Sequence, residues 1–275
     1  MQRSRLIVLA VAGAAFLFTA SCAKLKSRDE MNHGVQAYKN AHYVDAVNHF
    51  KQAVQLDPTN QNAQLYLATS YMTQWVPGAD SPENNRAAQA AKREFQKVLD
   101  KDPQNKLALA SLASMSYSEA AFGTEEQKHA ALEEAKKWNQ RLIEVDPQNS
   151  QAYYSLGVIA WAQAYPKIQA ALADAKMKGD AEEPIKDEKI RKDAQEKYGK
   201  IIDDGMASLQ KAIDIDKESD DAMTYLNLLL RKKANIEDDK DASKADIAKA
   251  EEWANKSLAI KKMKATRPQS KQEPS

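Results

Sequence analysis

The chain has 275 residues, a formal net charge of +1 and 43% hydrophobic residues, with only 8 glycines and 9 prolines. This composition favours helices, and no long stretch alternates β-branched and polar residues as an amphipathic strand does. The near-zero net charge argues against nucleic acid as a main partner, because binding to phosphates requires a basic face.

The first 21 residues are predicted to be a signal peptide and not part of the folded domain. Arg3 and Arg5 precede an apolar run of 15 residues from Leu6 to Ala20. A run of that length suits a signal peptide better than a membrane span, which needs about 20 apolar residues. Removal of residues 1–21 would leave Cys22, the single cysteine, at the new N-terminus.

The residues around Cys22 resemble a bacterial lipoprotein signal, in which small residues precede a cysteine that is lipidated. The resemblance implies that residues 22–26 form a lipidated linker. An ordinary secreted protein cut after Ala20 or Ala23 is the alternative, but its lone exported cysteine would have no intrachain partner. Because Ala23 and not aspartate follows the cysteine, the resemblance also implies the outer membrane, facing the periplasm.

Three near-identical tetrapeptides follow, at spacings of 45 and 44 residues: Asp57-Pro58-Thr59-Asn60, Asp102-Pro103-Gln104-Asn105 and Asp146-Pro147-Gln148-Asn149. A fixed period of this size indicates repeated helical units. In such arrays, function is usually carried by the surface that the stacked units line up, and a binding face is therefore expected.

Residues 27–60 resemble the tetratricopeptide repeat (TPR), a unit of about 34 residues in two antiparallel helices. The matching residues are Gly34, Tyr43, Ala46, Phe50, Ala53 and Pro58. Ser27 to Glu30 indicate a capping box that opens the first helix. The resemblance implies an all-α, TPR-like α-solenoid of about five helix-turn-helix units, at about 27–60, 61–105, 106–149, 150–219 and 220–262.

Insertions of 11, 10, 36 and 11 residues separate the two helices of the second to fifth units. In the second unit, Pro77 and Gly78 predict a loop in preference to longer helices. In the fourth, the insertion predicts an extended helical hairpin with one helix opening at Pro166 and another at Pro184. Half of that insertion, as helix, would carry the tip about 27 Å outward. The polar tail, residues 263–275, is predicted to be disordered.

In the TPR family the first helices line a concave groove, and the corresponding positions here form an aromatic and apolar surface with a basic C-terminal end. These partner-binding positions are Met31, Val35, Tyr38, Leu65, Met72, Tyr117, Tyr154, Val158, Trp161, Leu228 and Arg231. Such a groove suits a peptide anchored by buried side chains. The alternative is that Tyr154 and Trp161 only pack against the long insertion.

No motif indicates catalysis, a metal site or a cofactor. The chain has four histidines, and only His42 and His49 are spaced to share a helical face, which does not complete a zinc site. We therefore expect no enzyme. The leading interpretation is a lipid-anchored adaptor or scaffold of the cell envelope that binds protein or peptide partners. The alternatives are an envelope protein that captures a small molecule or glycan, and a non-catalytic subunit of an envelope enzyme.

Overall fold

A computed structural model of the protein describes residues 22–267. Within this range the chain forms ten α-helices and no strand, which confirms the predicted all-α class. The helices are α1 (22–39), α2 (Tyr43–Leu56), α3 (Gln61–Gln74), α4 (Pro82–Lys101), α5 (Lys106–Glu119), α6 (Glu125–Val145), α7 (Ser150–Asp174), α8 (Glu188–Ile215), α9 (Asp220–Ile236) and α10 (Lys240–Thr266). None of these helices is long and apolar enough to cross a membrane.

The three Asp-Pro-x-Asn tetrapeptides are the turns that join α2 to α3, α4 to α5 and α6 to α7. In each turn the asparagine side chain accepts a hydrogen bond from the backbone N–H three residues later, as in Asn60 Oδ1 to Ala63 N at 3.1 Å. The aspartate ends the preceding helix, and the Asp57 carboxylate accepts from Thr59 N. Each tetrapeptide therefore ends one helix and caps the next.

The smaller insertions mostly lengthen the second helix of a pair. Helices α4, α6 and α10 contain 20, 21 and 27 residues, against 14 in α2. The prediction for the second unit is wrong in part, because the loop covers only residues 75–81 and the rest of the insertion is helical. Ser81 caps α4 and Pro82 occupies its first turn, a position where the missing N–H of proline costs nothing.

The long insertion does form an extended helical hairpin, but its helices begin elsewhere than predicted. Helix α7 passes through Pro166 without a break, and α8 begins after Asp187, whose side chain caps it. The predicted helix starts at Pro166 and Pro184 are therefore wrong. Helix α7 has 25 residues against 14 in α3, an excess of about 16 Å and not 27 Å.

Both ends of the described chain are more helical than predicted. Helix α1 already includes residues 22–26, and Ser27 is not a cap, because it is buried with its hydroxyl donating to the Ala53 carbonyl at 2.9 Å. Helix α10 continues to Thr266, four residues into the predicted tail. The predicted signal peptide, residues 1–21, and the tail beyond residue 267 lie outside the described residues.

The chain divides into two compact units, one ending at Leu112 and one beginning at Ala113, both within α5. In the first unit, Phe50 and Leu67 form a core against the face of Gly34. The core of the second unit includes Ile168, Leu172 and Ile185, all fully buried and all from the long insertion. The inserted hairpin is thus part of that core.

Candidate partner-binding face

Five aromatic side chains from three helices of the second unit form a surface that we call the aromatic face: Tyr117 of α5, Tyr154, Trp161 and Tyr165 of α7, and Tyr225 of α9. The three on α7 are spaced by seven and four residues, which places them along one side of the helix. Trp161 stacks on Tyr165 with ring centroids 4.3 Å apart. Tyr225 meets Tyr154 and Trp161 edge to face, at 5.8 and 6.4 Å.

The aromatic face is partly open and electrically neutral. Tyr117 and Tyr165 are 39% and 38% exposed, whereas Tyr154, Trp161 and Tyr225 are half-buried. Burial raises the pKa of Tyr154 to about 12, with a further contribution from Tyr225. Burial also raises the pKa of Tyr117. The two phenols therefore stay protonated at neutral pH and present apolar rings with hydroxyl groups that can donate hydrogen bonds.

The end of this face on α9 carries Arg231 and Lys232, but most of their charge is already engaged. Arg231 pairs with Glu182 and donates from Nε to Asn227 Oδ1 at 2.9 Å. Lys232 is buried, and its ammonium donates to Asn235 Oδ1 at 3.0 Å and to the Gly179 carbonyl at 3.4 Å. Burial lowers the pKa of Lys232. The predicted basic end is therefore less available than the sequence indicated.

Asn235 fixes the loop between α7 and α8 beside this end. Its side chain is fully buried and donates to the carbonyls of Ala181 and Glu183, at 2.7 and 3.1 Å. The backbone carbonyl of Asn235 accepts a hydrogen bond from Ile185 N at 2.8 Å. These hydrogen bonds hold loop residues 175–187 against the end of α9. The loop therefore has a defined position at this border of the aromatic face.

The structure brings together some of the predicted groove residues of the second unit. Tyr117, Tyr154 and Trp161 belong to the aromatic face, and the rings of Tyr154 and Trp161 contact that of Tyr225. The same two side chains also pack against the core cluster of the second unit, which includes residues of the long insertion. Leu228 is half-buried on α9, one turn beyond Tyr225. Val158 is only 7% exposed and belongs to the core, so its prediction as a contact residue is wrong.

The predicted residues of the first unit do not form a comparable aromatic surface. Met31, Val35 and Tyr38 are half-buried against the core cluster of Phe50. The Tyr38 hydroxyl shares a hydrogen bond of 2.9 Å with Thr73 Oγ1, which links α1 to α3. Leu65 and Met72 on α3 are also half-buried.

Tyr165 and Tyr225 were missed by sequence reasoning, although a signal for each was present. Tyr165 follows Trp161 by four residues, and Tyr225 precedes Leu228 by three, so each continues a helical stripe that already contained a predicted residue. The family pattern does not include their positions. The helical spacing of the aromatic residues is the signal that could have identified them.

His42 precedes α2 and His49 lies within it, and His49 has His33 and Glu30 as neighbours. His33 lies with its ring centroid 5.5 Å from that of His49, and His49 Nδ1 is 2.7 Å from Glu30 Oε2. Among residues 22–267, no group of three or more His, Cys, Asp or Glu side chains is arranged to hold a metal ion. Cys22 is exposed and forms no disulfide.

Comparison with known proteins identifies similarity in fold. A family model for the plant-specific mitochondrial import receptor subunit TOM20 matches residues 34–121. No curated protein matches the sequence.

A crystal structure of MamA is 16% identical over 90% of this chain and 98% of its own, with a TM-score of 0.57. A second MamA structure is 16% identical over 85% and 97%, with a TM-score of 0.54. MamA residues 41 to the end from Desulfovibrio magneticus RS-1 is 16% identical over 88% and 98%, with a TM-score of 0.51. The predicted TPR-like all-α fold is confirmed by these similarities.

Proposed function

We propose that the protein is a lipid-anchored adaptor of the bacterial cell envelope, which binds a protein or peptide partner through the aromatic face. The observation that carries the proposal is the convergence of Tyr154, Trp161, Tyr165 and Tyr225 on one partly exposed surface. Tyr117 lies near Tyr154 and Tyr225. Trp and Tyr are the side chains most enriched at positions that dominate the binding energy of interfaces.

The chemistry of the face defines the partner that it suits. Because Tyr117 and Tyr154 are neutral and Arg231 and Lys232 are already hydrogen-bonded within the protein, the face offers apolar area and hydroxyl groups more than charge. Such a surface favours a peptide that inserts apolar side chains between the rings. Rim contacts, including the partly exposed Arg231, would then contribute less to affinity than the rings do.

The anchoring part of the proposal rests on Cys22. Its exposed position at the start of α1 leaves the sulfur accessible for attachment of a lipid. We further propose that the anchored protein lies at the outer membrane and faces the periplasm. Metabolic labelling with a radioactive fatty acid tests the anchor. Label on the wild type and none on Cys22→Ser supports it, whereas equal labelling of the two, or none on either, contradicts it.

Photocrosslinking tests the binding face. A photoreactive amino acid at position 161 should give a defined protein adduct in cells, and the same residue at position 253 should not. Trp253 is the matched control, because it is a half-buried tryptophan of the same unit that lies on α10, outside the aromatic face.

The partner identified by crosslinking can then be purified and its affinity measured. We expect Trp161→Ala to weaken binding by about 2 kcal/mol or more, which is roughly a 30-fold increase in Kd, as for a central aromatic anchor. Trp253→Ala should change the Kd by less than about twofold. Equal losses in the two folded variants would exclude the aromatic face as the binding site.

A further inference from the structure

A cavity of about 750 Å³ lies within the second unit. Tyr117 of the aromatic face is one of the residues that line it. It is bordered by the end of α5, the start of α6, the middle of α7 and part of α8. The lining residues are Tyr117, Ala120, Ala121, Glu125, Lys128, His129, Leu132, Glu133, Ala162, Gln163, Pro166, Lys167, Lys197, Tyr198 and Ile201. Its volume falls within the range of sites that bind small organic molecules.

The cavity exists because small side chains occupy positions where larger ones would fill it. Ala120 and Ala121 follow the end of α5, and Ala162 and Pro166 lie on the side of α7 that lines the cavity. The lining side chains of α6 and α8 are mostly long and polar. The lining thus combines apolar residues of α5 and α7 with polar groups of α6 and α8, the usual composition of a small-molecule site.

One end of the cavity has a surplus of positive charge. Glu125 there is shared by two lysines: Lys167 Nζ lies 3.1 Å from Glu125 Oε2, and Lys128 Nζ lies 3.5 Å from Oε1. These contacts hold the pKa of Glu125 below its usual range. Lys197 also lines the cavity, although its ammonium bonds to Asp193 at 2.8 Å. A single carboxylate cannot neutralise two ammonium groups, so an anion is attracted to this end.

The other end carries the opposite charge. Glu133 accepts a hydrogen bond of 2.7 Å from Gln163 Nε2, and Leu132 and Ile201 lie nearby in the lining. Because Glu125 and Glu133 are eight residues apart on α6, the two ends are separated by about 12 Å along that helix. A bound anion must therefore place its charge at the lysine end and its apolar part towards Leu132 and Ile201.

We propose that this cavity binds a small organic anion with an apolar body, its carboxylate or phosphate group contacting Lys128 and Lys167. The apolar body lies on Ala162 and Pro166. This proposal does not rest on the partner-binding function proposed above, although Tyr117 belongs to both sites, and its test requires no protein partner.

The first test uses two fluorescent probes that share the N-phenyl-1-naphthylamine skeleton and differ by one sulfonate group. The purified protein is titrated with 8-anilinonaphthalene-1-sulfonate, which carries a negative charge, and with N-phenyl-1-naphthylamine, which is neutral. We expect one saturable site, with the anionic probe binding about tenfold more tightly, since charge-assisted contacts are stronger than neutral ones. Equal affinity for the two probes, or no saturable site, contradicts the proposal.

Substitutions then locate the site. Ala162→Trp places a large side chain in the cavity and should abolish binding of both probes. Ala173→Trp, at an exposed position of the same helix, should not abolish binding. The double substitution Lys128→Gln and Lys167→Gln, which leaves the packing intact, should remove only the preference for the anionic probe. The matched control removes two other paired surface lysines, Lys192 and Lys244. Equal effects of the two double variants, or unchanged binding in a folded Ala162→Trp variant, contradict the proposal.

Displacement distinguishes the two anion classes. 1-Naphthoate and 1-naphthyl phosphate compete for the bound fluorescent anion, and stronger displacement by one identifies a carboxylate or a phosphate ligand. Displacement by neither contradicts the proposal. The double substitution of Lys128 and Lys167 changes no residue of the aromatic face, so we expect the crosslink at position 161 to form in that variant. The failure of this proposal and of the adaptor proposal can therefore be told apart.

Discussion

Gly157 lies at a close contact between α7 and α8, and its replacement by alanine gives a quantitative test of that packing. An added Cβ would lie 2.8 Å from Leu209 Cδ1 and closer still to Cγ and Cδ2. Leu209 is fully buried in the core of the second unit, so its whole isopropyl group must move into occupied space. The methyl group therefore overpacks the core.

The magnitude follows from two opposing effects. Overpacking a core typically costs about 1–3 kcal/mol, and contact with three atoms of one buried side chain favours the upper part of that range. Replacing glycine by alanine inside a helix contributes about 1 kcal/mol in the other direction. We expect Gly157→Ala to lower the free energy of unfolding by about 2 kcal/mol.

Gly199→Ala is the matched control, since Gly199 lies in α8 and its added Cβ would be 3.9 Å from Gln195 Cγ and 4.0 Å from Ile236 Cδ1. These are ordinary contacts, so we expect this variant to be more stable than the wild type by about 0.5–1 kcal/mol. Urea denaturation followed by far-UV circular dichroism measures both variants. If Gly157→Ala were as stable as Gly199→Ala, the close packing of α7 on α8 inferred from Leu209 would be refuted.

Two further predictions concern buried polar groups. Asn235→Ala removes the partner of the Ala181 and Glu183 carbonyls and of Lys232, and we expect a loss of about 2 kcal/mol, with faster amide exchange in residues 175–187. Unchanged exchange there would show that Asn235 does not hold the loop. Burial raises the pKa of Asp246 above its ordinary value of 3.8, so the folded state binds its proton more tightly and stability falls as the pH rises through the folded pKa. Asp246→Asn should therefore be more stable than the wild type at pH 7, and the difference should vanish below about pH 3.8, where both states of the wild type are protonated. Chemical denaturation at several pH values measures this, and a less stable variant at pH 7 would contradict it.

The sequence identified the turns between repeats and the all-α fold, because these depend on local residue chemistry. The Asp-Pro-x-Asn segments carry their own helix-ending and helix-capping groups, so they form similar turns wherever they occur. The ends of the inserted helices were harder to predict. Pro166 disfavours a continuous helix locally, but Ile168 and Leu172, just beyond it, are fully buried, and this packing outweighs the local preference.

The candidate sites were harder to predict from the sequence than the turns, because they depend on tertiary structure. Tyr154 and Trp161 were found by position in the repeat, but their contact with Tyr225 requires that α9 pack beside α7. The cavity left no signal in the sequence. It depends on small residues from separate elements, such as Ala121 and Ala162, which come together only in the folded protein.

Tyr117 belongs to both surfaces of the second unit, since it lines the cavity and its phenol is near enough to Tyr154 and Tyr225 for ionisation of one to raise the pKa of another. When two ligands contact the same side chain and one of them moves it, the binding of the two is thermodynamically linked. A cavity ligand that shifts the Tyr117 ring would alter the affinity for a partner by some factor, and the partner would alter the affinity for the ligand by the same factor. The proposed adaptor would then respond to the concentration of a small organic anion as well as to the presence of its partner.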